Sequence, residues 1–66
     1  MNVVLNGESR ELQPGTTLAG LLQSLELGQR RFAVEINEEL VPRSAHADRV
    51  LQAGDRVEIV QAIGGG

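Results

Sequence analysis

Residues 54–66 read Gly54-Asp55-Arg56-Val57-Glu58-Ile59-Val60-Gln61-Ala62-Ile63-Gly64-Gly65-Gly66. From Arg56 to about Gln61 the alternation predicts a strand with Val57 and Ile59 facing a core, set off by a loop at Ala53-Gly54-Asp55. The three glycines that follow cannot be core, strand or helix, because they bury nothing and have the greatest backbone freedom. A final strand thus runs straight into a bare glycine tail.

Upstream, Phe32-Ala33-Val34-Glu35-Ile36 predicts a second strand, with Phe32, Val34 and Ile36 on one face. Asn37-Glu38-Glu39 reads as a turn, and Leu40-Val41 as a short strand stopped by Pro42. Residues 43–50 read as irregular and polar. Leu18, Leu21, Leu22 and Leu25 form one apolar stripe at helical spacing, which predicts a helix over 17–27. Thr16 or Thr17 can cap its start, Gly28 is placed to end it in a left-handed conformation, and Gly20 would let it approach a sheet closely. At the other terminus, Val3-Val4-Leu5, the hairpin signal Asn6-Gly7 and a return strand from Glu8 to Leu12 precede the break at Pro14-Gly15.

The order is β-β-α-β-β-β. One helical stripe covers one sheet face, which gives a two-layer α+β unit. A leading hairpin with the last strand in the sheet centre describes a ubiquitin-like β-grasp: a mixed sheet of four to five strands packed on one helix. The expected division is a β-grasp domain over 1–63 and a flexible tail over 64–66.

Composition narrows the function. A 66-residue chain hides only about 60% of its surface on folding, too little for a core and a deep substrate pocket together. Cysteine is absent, which removes disulfides, thiolate nucleophiles and cysteine metal sites. One aromatic residue, Phe32, and a net charge of −3 argue against nucleic acid. No apolar run is long enough to cross a membrane as a helix, and MNVVLN lacks the pattern of a signal peptide, so a cytoplasmic, non-enzymatic protein is expected, monomeric when free. All six cations are arginines, so there is no side-chain amine.

A tail without Cβ atoms can enter a slot too narrow for other residues. Gly64 to Gly66 extends at most about 10 Å, enough to carry the terminal carboxylate into a partner while the body docks outside. That carboxylate is ionised at neutral pH and a poor electrophile, so it must be activated, for example as an acyl-adenylate. The chain has no phosphate-binding loop, so a partner must supply the ATP chemistry. The tail therefore reads as a substrate presented to enzymes, and the absence of lysine and cysteine fits, because either side chain could consume the activated group.

Across essentially its whole length the sequence resembles the sulfur carrier protein family of thiamine biosynthesis, the ThiS family. The resemblance rests on the first strand ending at Asn6, the Gly15-Thr16-Thr17-Leu18 helix start and the Leu21-Leu22 pair. It continues through Glu35-Ile36-Asn37, Leu40-Val41-Pro42-Arg43, Gly54-Asp55-Arg56-Val57-Glu58-Ile59 and the closing Gly65-Gly66. Gly20 and Gly64 depart from the usual pattern. The resemblance implies that a ThiF-like adenylyltransferase activates the Gly66 carboxylate with ATP. Sulfur from a persulfide donor then converts it to a thiocarboxylate, and a ThiG-like thiazole synthase takes that sulfur. The small subunit of molybdopterin synthase, with the same chemistry, and a ubiquitin-like protein modifier are the alternatives, and a regulatory module with an inert tail is a third.

Val4 and Val60 are expected to face outward on neighbouring central strands, and with Ile63 to form an interface for these partners. Ser44, His46 and Asp48 are too widely spaced along an extended chain for a triad, a lone histidine makes no histidine-rich metal site, and Glu38-Glu39 reads as a solvated turn. No cofactor or metal is expected. Arg30-Arg31 suits the negative end of the preceding helix.

Overall fold

The computed structural model describes residues 1–27 and 31–61. Five strands form one sheet: β1 (Asn2–Leu5), β2 (Glu8–Glu11), β3 (Phe32–Ile36), β4 (Glu39–Val41) and β5 (Arg56–Gln61), in the order β2-β1-β5-β3-β4. β5 lies in the centre, parallel to β1 and antiparallel to β3, so the sheet is mixed. Helix α1 (Leu18–Ser24) covers one face, and Leu18, Leu21 and Leu22 join Val3, Leu5, Val34, Ile36, Val41, Leu51 and Val57 in a single core. This is the expected α+β β-grasp.

Both hairpins close in two residues with positive φ, the geometry that follows the right-handed twist of the flanking strands. Asn6 and Gly7 take φ 49° and 86°, and Asn37 and Glu38 take 53° and 71°. The second turn is therefore shorter than the expected three residues, and Glu39 belongs to β4.

The helix begins as expected, with the Thr17 hydroxyl accepting the Gly20 N–H at 3.1 Å. It ends earlier than the leucine stripe predicts. The Ser24 hydroxyl donates to the Leu21 carbonyl at 2.7 Å, and the Leu25 N–H turns to Leu22 instead. Glu26, at φ 54°, takes the left-handed position expected of Gly28, which lies outside the described residues. Gly20 is exposed, and a Cβ there would meet only Thr17 and Thr16, so it does not serve an approach to the sheet. Residues 43–50 are more ordered than expected: Arg43–Ala45 form a short 3-10 turn and Val50 bridges Thr17. No described helix is long and apolar enough to cross a membrane.

Candidate functional site: the end of the central strand

The segment that ends in the three glycines follows β5 directly in sequence, so the forces on that strand come first. Near its start β5 has neighbours on both sides: Val57 pairs with Leu5 of β1 and with Ile36 of β3. β1 then ends, and the side chain of Asn6 takes over, its Oδ1 accepting the Ile59 N–H at 2.8 Å. Beyond that point the ladder continues only to β3, where Val60 faces Ala33 and Gln61 faces Phe32. From there to Gln61, the last described residue of the strand, β5 is paired on one side only. Ala62, Ile63, Gly64, Gly65 and Gly66 lie outside the described residues, so the expectations for Ile63 and the three glycines concern positions beyond them.

A second polar device fixes where β5 starts. Asn37 Oδ1 accepts the Arg56 N–H at 2.9 Å, and its Nδ2 donates to Asp55 Oδ1 at 3.1 Å. The other oxygen of Asp55, a buried carboxylate, accepts the Gln52 N–H at 2.9 Å. Turn β3–β4 is thereby tied to the loop before β5. Asn6, Asn37 and Asp55, three residues of the sequence motifs, hold the last strand in register; they are positioning groups for the strand.

Val60 projects from the uncovered sheet face and is 57% exposed. Val4 is on the same face but half-buried, and it pairs with Arg56. Four residues of strand, about 13 Å, therefore separate Val4 from the level of Val60. The strands are neighbours, as expected, but their register keeps the two valines apart. Val60 instead looks across to Ala33, and one strand further lies Leu40, 67% exposed. Local alternation in the sequence puts Ala33 outward; only the register shows that it sits beside Val60. A hollow of about 330 Å³ lined by Arg31, Phe32, Ala33, Val60 and Gln61 opens where the strand ends.

The triad-like residues do not assemble. His46 Nε2 donates to the Val41 carbonyl at 3.1 Å, and its ring stacks on Phe32 with centroids 6.5 Å apart. Ser44 is exposed, and among the described residues no three His, Cys, Asp or Glu side chains are grouped to hold a metal. Arg31 is exposed beside β3, and Arg30 lies outside the described residues.

The ThiS family model matches residues 3–66. A thiazole synthase of Paramagnetospirillum magneticum is 44% identical over all 66 residues, and the chain spans only a fifth of that protein's length. The sulfur carrier protein ThiS of Escherichia coli is 33% identical, with each chain covered end to end. Among solved structures, the crystal structure of the thiamine biosynthesis protein ThiS from Geobacter metallireducens superposes with a TM-score of 0.85 at 30% identity, covering both chains completely. A match of this extent in sequence and in three dimensions leaves one conclusion: the chain belongs to the ThiS family.

Proposed function

We propose that this protein is a sulfur carrier in thiamine biosynthesis, a co-substrate rather than a catalyst. The observation that carries the reading is that the family match runs through the last glycine, Gly66. An adenylyltransferase joins the Gly66 carboxylate to the adenylate of ATP, releasing pyrophosphate. The terminal sulfur of a persulfide then displaces AMP to give an acyl disulfide, a thiol cleaves its S–S bond and leaves as part of a disulfide, and the freed thiocarboxylate delivers its sulfur to a thiazole synthase. Two thiazole synthases that contain a segment similar to this whole chain support that second partner. Gly64, Gly65 and Gly66 thread into both active sites, while Val60 and Ile63, with Val4 further along the sheet, contact the partners outside. We place the protein in the cytoplasm, where the ATP for charging is held.

The body contributes a rigid mount. β5 is fixed by the Asn37–Asp55 network at its start and by Asn6 midway, so the tail leaves from a defined point. Incubation with the adenylyltransferase, ATP, a persulfide donor and a thiol reductant is expected to exchange one oxygen for sulfur at Gly66, read by intact mass. Removal of Gly65-Gly66 abolishes the exchange and leaves the circular dichroism spectrum unchanged; sulfur transfer by the truncated chain would refute the proposal. Val60→Asp weakens partner binding without unfolding the domain, because the side chain already faces solvent.

A further inference from the structure

The sheet face opposite α1 bears two carboxylates that face one another. Glu35 and Glu58 are directly opposite one another on β3 and β5, at the separation where like charges repel across strands. Arg56 shares that face two residues before Glu58, but its Nη2 is turned to Glu38 Oε1 at 3.4 Å. Among the described residues, neither Glu35 nor Glu58 takes part in an ion pair. Next to this pair, towards the tail, Val60 and Ala33 face each other, and Leu40 flanks Glu35 on β4.

The reach of the tail fixes what covers this surface. Five residues follow Gln61, so Gly66 lies at most about 17 Å from the end of β5. A partner that holds Gly66 in its active site must therefore press against the sheet around that end. The other face is occupied by α1.

We propose, resting on the carrier reading, that the ATP-using partner docks across β5, β3 and β4 rather than towards β1. Its surface is apolar over Val60, Ala33 and Leu40 and places a cationic side chain, an arginine fork by its geometry, between Glu35 and Glu58. The apolar contacts supply affinity; the carboxylate pair sets the register of docking and favours basic partners over acidic ones.

The test is steady-state charging of Gly66 by an adenylyltransferase that charges the wild-type chain, followed by pyrophosphate release. Glu58→Lys and Leu40→Asp are each expected to raise KM for the carrier roughly tenfold, with kcat within about twofold. Glu58→Lys also melts at or above the wild-type temperature, because it relieves a repulsion; a merely structural role for Glu58 predicts the reverse. Val50→Asp alters an exposed valine outside the strands and leaves KM unchanged. An unchanged KM for both Glu58→Lys and Leu40→Asp in a wild-type-competent assay overturns this docking mode alone. A defect confined to sulfur transfer to the thiazole synthase also overturns it, by assigning the face to the other partner. A wild-type chain that no adenylyltransferase charges overturns the carrier reading and, with it, the docking mode.

Discussion

Asn6 and Asn37 open the two hairpin turns, and each does two things at once. Their positive φ closes a two-residue turn, while their side-chain oxygens accept the Ile59 and Arg56 N–H groups of β5. Asparagine suits both tasks, since it tolerates the left-handed region better than other non-glycine residues. Replacing Asn37 with Gly keeps the turn and removes the bonds, leaving buried Asp55 short of a donor. The expected cost is about 1–3 kcal/mol in urea unfolding. Its neighbour predicts the opposite sign. Glu38 stands at φ 71°, where Asn6 is followed by Gly7, and its contact with Arg56 is exposed on both sides. Glu38→Gly is expected to stabilise the fold by about 0.5 kcal/mol in the same measurement, since the left-handed Cβ strain exceeds the added chain entropy and surface ion pairs contribute little.

Helix α1 has only seven residues, too few to persist alone in water, so its leucines rather than its propensity hold it. Leu18→Ala, at a fully buried site, is expected to cost about 2–5 kcal/mol. Thr17→Ala, which removes only the cap, is expected to cost about 1 kcal/mol; thermal denaturation of the two variants checks the ratio. At this scale most of the architecture was legible in the sequence. The leucine stripe gave the helix, alternation gave the strands and Asn6-Gly7 gave the first hairpin, because each is a local periodicity or a local backbone demand. The end of the helix was not, since it turns on a Ser24 hydroxyl competing for one carbonyl. The candidate site divides the same way. The glycine tail and the outward Val60 follow from neighbouring residues, whereas the separation of Val4 from Val60 and the meeting of Glu35 with Glu58 depend on register between distant strands. Periodicity within a strand carries no information about which residue of another strand it faces.

At the scale of the molecule, the first and last strands run parallel, with Val4 level with Arg56. Met1 therefore sits about eight strand residues behind Gln61, roughly 26 Å, with its amine held by Glu11 and the Leu12 carbonyl. The stretch from Ala62 to Gly66 extends at most about 17 Å, so it cannot double back that far. Head-to-tail ring closure by aminolysis is excluded by geometry alone, even with Gly66 activated. For the same reason, cargo attached ahead of Met1 stays clear of the slot that receives Gly66. A carrier tethered to a bead or a fluorescent protein through its amino end is expected to be charged at the untethered rate, which makes single-turnover measurements on immobilised molecules practicable.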